Sequence, residues 1–367
     1  MRIGILAYEG CLAAEVFVFS DLLLIANRVA RQLGTSSTVP FQVSVIASST
    51  SPVRAAGGFA IGAQRWHQGF DQLVVPGFEL MPSDDLGARL ARWHSETSFI
   101  RAAAERDTPI ASVCVGAFLL GEAGLLDGRS CTTSWLFASE LALRYPRSTV
   151  RRESLIVHDR PVTTTAAFSA ALDLATALIR EHLGADIARA TARITLVAEN
   201  RTSQAPYIVE SMLPANRGPF AREVENWLVD HLSEGYDLTR LAAAFQVSTR
   251  TLLRRFRAQA GESPLTFLQR ARVRAAKRLL ETTDHPLGEI LKRVGYQDAG
   301  TFRRLFIEQV GVSVSDYRRQ FRTGRPTPAS PAVRRSRTSP AARTKGGEND
   351  IEHGDHAPRG TDPRQKD

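Results

Sequence analysis

The chain has 367 residues, of which 43% are hydrophobic and 23% charged, and its formal net charge is +9. This length allows two domains with extensions, and no apolar run in the sequence is long enough to span a membrane. Three cysteines at unrelated spacings, Cys11, Cys114 and Cys131, fit neither a disulfide framework nor a zinc site. We therefore expect a cytoplasmic protein that binds no metal or cofactor.

Strand and helix signals alternate over the first two hundred residues. Short β-branched runs predict buried strands, whereas longer runs with apolar residues at helical spacing predict helices. The strands are predicted at 3–7, 41–47, 73–75 and 109–113. The helices are predicted at 12–31, 85–105, 116–121, 169–182 and 186–198. This alternation predicts an α/β domain over residues 1–200, with a parallel sheet flanked by helices.

The predicted strand 109–113 runs into a helix through a sharp turn at Cys114. A side chain in such a turn is presented at the carboxyl end of a strand, close to the backbone amides of a helix N-terminus. Nucleophiles occupy this position in several classes of α/β enzyme. A small residue tolerated at a tight turn is the alternative interpretation of Cys114.

After this domain, residues 201–218 are rich in proline, serine and asparagine, and we interpret them as an interdomain linker. The segment 219–322 follows as a second predicted domain. Residues 323–367 contain almost no large apolar side chain, so we expect this tail to be disordered.

The second predicted domain contains one pattern twice, about fifty residues apart. In each copy a short helix and a tight turn precede a second helix, whose inward face carries Leu252 and Phe256 in one copy and Phe302 and Phe306 in the other. Helix, turn and helix in this order are typical of a unit that places its second helix in the major groove of double-stranded DNA. An amphipathic helix pair with a solvated arginine face would explain one copy, but the repeated register favours DNA binding.

Arginine is well suited to the outward face of these helices, because its planar guanidinium can bond both O6 and N7 of guanine. Positive charge is also concentrated there: residues 1–218 have no net charge, whereas 219–322 have a net charge of +6 and the tail has +3. The side chains and backbone that we expect to contact DNA are those of Arg250, Thr251, Arg254, Gly300, Arg303 and Arg304.

A long helix is predicted between the two copies, capped by Ser263, begun by Pro264 and ended near Pro286. It would fix the separation of the two units at about one turn of DNA. This region resembles the DNA-binding domain of AraC/XylS-type transcription regulators. The resemblance rests on Gly261-x-Ser263-Pro264, the run 272–280, Val294-Gly295-Tyr296 and the run 311–319.

The first half of the chain resembles the PfpI-like group of the class I amidotransferase superfamily. More narrowly, it is similar to the first domain of GlxA-type regulators, which join such a domain to an AraC-type one. The resemblance spans about residues 1–200, and the segments that carry it are 7–10, 74–77 and 111–145, which includes 124–129 and 132–135. It implies an acidic residue near the turn, and Glu15 occupies that place.

Hydrolytic members of the superfamily carry a histidine immediately after the cysteine, where this chain has Val115. The GlxA-type subgroup often carries a histidine where this chain has Ser134. A thiol needs a base or a cationic environment to ionise near neutral pH, so we predict no catalytic activity. The resemblance instead implies that the former active site holds a small-molecule effector, with Glu15, Cys114 and Ser134 as its lining.

These observations predict a sequence-specific transcription regulator controlled by an unidentified effector. We expect it to act as a homodimer on double-stranded DNA, to contact RNA polymerase and to have no contact with membranes. Two alternatives remain at this stage. One is a PfpI-like cysteine hydrolase that carries an accessory DNA-binding module, and the other is a constitutive DNA-binding protein whose first half only dimerises.

Overall fold

The computed structural model describes residues 1–34, 39–50, 52–67, 69–199, 201–213 and 218–322. The disorder that we predict for residues 323–367 concerns a segment outside these ranges. None of the helices within the ranges is long and apolar enough to cross a membrane.

Strands occur only in the first half of the described chain. They are β1 Arg2–Leu6, β2 Gln42–Ala47, β3 Val53–Arg54, β4 Ala60–Ile61, β5 Gln64–Arg65, β6 Gln72–Val75, β7 Ile110–Ser112, β8 Ser130–Cys131, β9 Thr149–Val150, β10 Ile156–Asp159 and β11 Val162–Thr165.

Helices are distributed over both halves. Those of the first half are α1 Ala13–Gln32, α2 Leu86–Ala91, α3 His94–Ala104, α4 Ala117–Glu122, α5 Ala138–Arg144, α6 Ala170–Leu183 and α7 Ala185–Thr195. Those of the second half are α8 Pro219–Asp230, α9 Leu238–Ala244, α10 Thr249–Ala260, α11 Pro264–Thr282, α12 Leu287–Arg293, α13 Ala299–Val310 and α14 Val314–Phe321.

The main sheet has seven strands in the order β10-β11-β7-β6-β1-β2-β5, and only β10 and β11 pair antiparallel. Ile5 of β1 lies opposite Val45 of β2 and Val74 of β6, so β-branched residues form the centre of the sheet; Ile5 and Val74 are buried and Val45 is half-buried. Helices α1, α6 and α7 pack on one another, and α4 packs against α2 and α3. The predicted parallel α/β fold with flanking helices is confirmed.

Two predictions for this half were wrong in detail. The helix predicted at 85–105 is two helices, because Trp93 leaves the helical conformation (φ −102°, ψ 34°) and its indole N–H donates to the carbonyl of Glu9 at 3.0 Å. The hairpin of β10 and β11 was missed, because its second strand is rich in threonine rather than in large apolar residues. Trp93 depends on a partner that is distant in sequence, and β11 joins the main sheet through β7, which lies about fifty residues earlier.

The second half is helical, and its buried side chains form two groups. The first group joins α8, α9 and α10 to Phe267, Leu268 and Ala271 of α11. The second joins α12, α13 and α14 to the later part of α11, through residues that include Val273 and Leu280. Each helix-turn-helix unit therefore has its own apolar core, and α11 belongs to both.

Candidate functional site

The first helix-turn-helix unit is built from α9 and α10. The side chain of Asp237 caps α9 by accepting hydrogen bonds from the amides of Thr239 and Arg240, at 2.8 and 3.1 Å. The turn passes through Gln246 in a left-handed conformation (φ 53°), and Ser248 then caps α10 by accepting from the amide of Thr251 at 3.2 Å. These caps satisfy backbone donors that the helix itself leaves unpaired.

The second unit repeats this arrangement in α12 and α13. Gly295 provides the left-handed residue of the turn (φ 78°), and Asp298 caps α13 by accepting from the amides of Gly300 and Thr301, at 3.2 and 2.6 Å. A Cβ atom added to Gly295 would lie 2.6 Å from the carbonyl oxygen of Leu232. Glycine is therefore required here both for its conformation and for the close approach of the chain.

The residues on the inward faces of α10 and α13 are those that the sequence predicts. Leu252, Phe256, Phe302 and Phe306 have no exposed surface. Each pair is separated by one helical turn, so these side chains hold each second helix to its core and fix which residues face outward.

The predicted DNA-contacting residues lie on the opposite faces. Arg250, Arg254, Gly300, Arg303 and Arg304 are exposed. Within the described ranges no side-chain hydrogen bond or ion pair engages the guanidinium groups of Arg250, Arg254 and Arg303, whereas Arg304 donates to the hydroxyl of Thr301 at 3.3 Å. The arginine face is therefore available to an acidic partner.

Thr251 and Gly300 differ from the predicted arginines, because each lies beside the residue that caps its helix, Ser248 or Asp298. Thr251 is half-buried, and Ser248 donates to its hydroxyl at 3.0 Å, so this side chain contributes to the cap of α10. The three atoms nearest to a Cβ atom added to Gly300 belong to the carboxylate of Asp298, and the closest lies 3.5 Å away. The backbone of α13 is thus open to close approach at this position.

The long helix α11 fixes the two units to each other. Its 19 residues correspond to a length of about 28 Å. Midway along it, Arg272 is buried and donates to the carbonyl of Leu232 at 3.0 Å, while its guanidinium lies 5.3 Å from the ring centre of Tyr296. Arg272 therefore joins the end of α8 to the turn of the second unit, and it is a structural arginine rather than a DNA contact.

The sharp turn of the first domain is present at Cys114. This residue has a left-handed conformation (φ 54°), and its amide donates to the carbonyl of Ala166 at 2.9 Å. A Cβ atom on Gly116 would lie 2.6 Å from the carbonyl oxygen of Val75, so the chain after the turn passes close to the end of β6. We call the turn 113–116 the elbow.

Glu15 lies beside the elbow, as the resemblance implies. Its Oε2 accepts a hydrogen bond from the amide of Gly77 at 2.6 Å, and a Cβ atom built on Gly77 would lie 3.1 Å from Cβ of Cys114. The same added atom would lie 3.2 Å from Oε2 and 3.4 Å from Oε1 of Glu15, so the absence of a side chain at Gly77 leaves room for both the carboxyl group and the cysteine. The carboxylate is buried, and within the described chain its other oxygen, Oε1, has no hydrogen-bond partner.

Burial determines the protonation of both groups. It raises the pKa of Glu15 to about 8, although the hydrogen bond from Gly77 acts in the opposite direction. Burial also raises the pKa of the Cys114 thiol, and the neighbouring Glu15 raises it further. At neutral pH both groups are therefore predominantly protonated, and Cys114 is a thiol rather than a thiolate.

The structure places Ser134 near the elbow through its neighbour Thr133. The hydroxyl of Thr133 donates to the carbonyl of Cys114 at 2.8 Å, and Ser134 is the next residue and is buried. The sequence analysis did not identify Thr133 or Gln204, whose side chain contacts the backbone on both sides of Ser134. Thr133 stands in the segment 132–135 that carries the resemblance, but no local pattern points to Gln204.

Groups of histidine, cysteine, aspartate and glutamate that could hold a metal ion are absent from the described part of the chain. The elbow and the residues beside it provide the thiol of Cys114, the protonated carboxylic acid of Glu15, the hydroxyl groups of Thr133 and Ser134, and backbone amides.

Two family models match the chain. The model of the DJ-1/PfpI family matches residues 26–181, and a helix-turn-helix domain model matches residues 241–320. The first match includes the elbow, and the second runs from within α9 to within α14, so it includes the later part of the first unit and the whole second unit.

Several curated proteins are similar to the chain. The HTH-type transcriptional regulator GbdR of Pseudomonas aeruginosa is 25% identical over 332 residues, which cover 83% of this chain and 89% of that protein. The HTH-type transcriptional regulator GlxA of Rhizobium meliloti is 31% identical over 209 residues, which cover 55% of this chain and 64% of that protein.

Solved structures match the two halves separately. A crystal structure of an AraC family transcriptional regulator from Pseudomonas putida covers 53% of this chain and 98% of its own, with 23% identity and a TM-score of 0.42. The DNA-binding domain of AdpA, solved in complex with a target DNA, covers 28% of this chain and 94% of its own, with 38% identity and a TM-score of 0.27. The two family models and the curated relatives show that the chain joins a DJ-1/PfpI domain to an AraC-type helix-turn-helix domain, the combination found in its AraC-family relatives.

Proposed function

We propose that the chain regulates transcription by binding double-stranded DNA at specific sequences through α10 and α13. The observation that supports this most strongly is the repetition of one arrangement: two buried anchors, a capped helix start and exposed arginines in equivalent registers. Arg254 and Arg304 each precede the second anchor by two residues. The net charge of +6 on residues 219–322 adds the attraction for phosphate that such binding requires.

The six residues predicted to contact DNA have different roles in this proposal. Arg254, Arg303 and Arg304 read base edges or phosphates, and Arg250 lies at the start of α10, where recognition helices approach the bases. Gly300 allows close approach of the backbone, and Thr251 stabilises the helix start through Ser248.

We further propose that the elbow binds a small-molecule effector, with Glu15, Cys114 and Ser134 as its lining. A buried carboxyl oxygen without a hydrogen-bond partner supports this, because Oε1 of the protonated Glu15 is a donor, and a ligand group that accepts from it would satisfy a group that is costly to leave unpaired. In this proposal the effector domain comprises residues 1–200, the linker 201–218 and the DNA-binding domain 219–322.

Hydrolysis by Cys114 is not part of the proposed function. Val115 follows the cysteine, and a thiol whose pKa is raised by burial and by a neighbouring acid is a poor nucleophile near neutral pH. The relatives named as transcriptional regulators support the same conclusion.

The remaining parts of the proposal concern partners and location. We propose that the regulator acts in the cytoplasm as a homodimer and contacts RNA polymerase when bound to DNA. A dimer would present two DNA-binding domains, so the second binding event would be intramolecular and the overall affinity higher.

Selection from a random pool of duplex DNA tests the central part of the proposal. The intact protein should enrich a defined sequence and bind it at least about a thousandfold more tightly than unselected DNA at the same salt concentration. Enrichment of no sequence, with only salt-dependent binding of all duplexes, would contradict sequence-specific regulation. A thermal-shift screen of the intact protein against amines and amino-acid derivatives would then search for the effector, because a ligand of the folded state raises the melting temperature.

A further inference from the structure

The segment between the two domains contacts both of them. We call residues 203–210 the strap. It includes a 3-10 turn, Ala205–Tyr207, and the start of a second, Glu210–Met212. At its first end, Ser203 pairs with Ser154 in an isolated β-bridge, and the amide of Gln204 donates to the carbonyl of Glu153 at 2.9 Å. The first part of the interpreted linker is therefore attached to the effector domain.

The side chain of Gln204 holds the backbone on both sides of Ser134. Its Nε2 donates to the carbonyls of Thr133 and Arg152, at 2.8 and 2.7 Å, and its Oε1 accepts from the amide of Trp135 at 3.1 Å. Gln204 is only 3% exposed, so the Nε2 and Oε1 atoms of its side-chain amide obtain their hydrogen bonds from these protein partners. Displacement of Gln204 would leave buried backbone groups without partners.

Thr133 connects this amide to the elbow. Its carbonyl accepts from Gln204 and its hydroxyl donates to the carbonyl of Cys114. A single residue therefore separates the strap from the cysteine, and both Thr133 and Ser134 are buried. A ligand that moves either residue must alter the geometry of the bonds that Gln204 makes.

The second end of the strap contacts the DNA-binding domain at α11 and α14. Lys277 of α11 donates to the carbonyl of Ile208 at 2.9 Å, and Arg274 forms an ion pair with Glu210 at 3.3 Å. The ring of Tyr207 lies 5.2 Å from that of Phe321, and its hydroxyl accepts from Gln320 at 2.7 Å. Because α11 belongs to the cores of both helix-turn-helix units, the strap touches the element that sets their separation.

We propose that the strap couples the elbow to the DNA-binding domain, with Gln204 as the positioning residue that senses the backbone around Ser134. The proposal rests on the function proposed above. The structure supplies a continuous series of contacts from Cys114 through Thr133, Gln204 and the strap to α11. Coupling between two sites is reciprocal: bound DNA changes the affinity of the elbow for its ligand by the same factor as that ligand changes the affinity for DNA. Because this coupling acts through the contacts of Gln204, DNA bound to α10 and α13 should also change the local opening of the backbone around Ser134.

This reciprocity allows a test without the effector. Hydrogen–deuterium exchange of the full-length protein is measured by mass spectrometry, with and without a duplex that the protein has enriched from a random pool. The backbone amide of Trp135 donates to Gln204, so its exchange reports on the strap. A coupling free energy at the lower end of the ordinary range, acting on the local opening of the peptide that contains Trp135, corresponds to a change of about fivefold in its exchange rate, and we expect DNA to produce a change of at least this size.

Two variants at Gln204 and one control assign this change to the strap. Gln204→Ala removes all the side-chain bonds, and Gln204→Glu keeps the length and an acceptor for Trp135 but loses the donors. Gln72→Ala removes another buried amide, which donates to the carbonyls of Leu73 and Pro109. In the two Gln204 variants DNA should no longer change hydrogen exchange at Trp135, whereas in Gln72→Ala it should still do so.

The outcomes are distinguishable. Protection of α10 and α13 by DNA in the unmodified protein, with unchanged exchange at Trp135, would overturn the strap while leaving DNA binding intact. A response at Trp135 that survives in both Gln204 variants would also overturn it, because the coupling would then run through other contacts. Absence of protection in α10 and α13 would overturn the proposed DNA binding and the strap together.

Discussion

Oε2 of Glu15 accepts a hydrogen bond from the amide of Gly77 at 2.6 Å, whereas Oε1 is buried and unpaired among the described residues. This one-sided arrangement does not compensate for burial, so the pKa of Glu15 rises to about 8. The acid is therefore neutral at neutral pH in the folded protein, and it ionises when the protein unfolds.

Stability should consequently depend on pH through Glu15. An unfolded glutamate has a pKa of about 4.3, so between about pH 4.5 and 8 the folded state holds a proton that the unfolded state has lost. Stability contributed by this group therefore falls as pH rises, with a limiting slope of about 1.4 kcal/mol per pH unit. Burial also raises the pKa values of the neighbouring Tyr8, Cys11 and Cys114, so these groups stay neutral in this range.

The Glu15→Gln variant tests this dependence, because it is isosteric with the protonated acid. Urea unfolding followed by tryptophan fluorescence reports mainly on the first domain, which contains Trp66, Trp93 and Trp135. We expect the stability of the unmodified protein relative to Glu15→Gln to fall by about 1 kcal/mol per unit between pH 5 and 8. A constant difference over this range would show that the folded carboxyl titrates normally.

Cys114 should be unreactive in the folded protein. Its buried thiol has a raised pKa, so alkylation by iodoacetamide at pH 8 should be at least about tenfold slower than in urea-unfolded protein. Peptide mass spectrometry measures both rates.

The Cys114→Ala variant should retain its affinity for DNA within a few-fold, because the thiol has no catalytic role in this account. Rapid alkylation, together with an ester or amide hydrolysis activity that Cys114→Ala abolishes, would establish an enzyme instead.

Gly295 should be essential to the second helix-turn-helix unit. Gly295→Ala combines a left-handed backbone with a Cβ atom 2.6 Å from the carbonyl of Leu232, so it should cost at least about 1–3 kcal/mol. Gly288→Ala in α12 is the matched control, because its Cβ would enter open space and should change stability by no more than about 1 kcal/mol. Urea titration followed by helical circular dichroism compares them, and equal stabilities would refute the assigned role of this turn.

The patterns that depend on neighbours in sequence were predicted well. Leu252, Phe256, Phe302 and Phe306 were identified as anchors from helical spacing alone, and they are fully buried. Ser263 was predicted to cap α11, and its hydroxyl accepts from the amide of Thr266 at 3.1 Å. In both cases the partners lie within four residues, so local periodicity and capping chemistry contain the information.

Features that depend on distant partners were not accessible in this way. Trp93 interrupts the predicted helix because its indole bonds to Glu9, and Gln204 is buried because its partners lie near residues 133 and 152. The resemblance pointed to Glu15 and Cys114, but the position of Gly77 beside both of them follows only from the approach of three separate segments. Composition predicts that residues 201–218 lie between domains, but it does not indicate the contacts of the strap.

The segment 219–322 should fold and bind DNA by itself, because it contains both apolar cores and the excess positive charge. Its affinity should be lower than that of the intact protein if the first domain dimerises and supplies two binding modules. Gel-shift titrations of both proteins at one salt concentration measure the difference. A fragment with folded circular dichroism that binds no DNA would argue against an autonomous domain.

Sequence selection with arginine variants tests the central claim that α10 and α13 each read DNA bases. Arg254→Ala and Arg304→Ala should each cost about 1–3 kcal/mol of binding free energy and relax preference at different positions, about 10 base pairs apart. Arg189→Ala, an exposed arginine of α7 that forms an ion pair with Asp186, should leave affinity and preference unchanged. A uniform loss of affinity on all sequences, with unchanged preference in both variants, would reduce Arg254 and Arg304 to phosphate contacts and contradict the account.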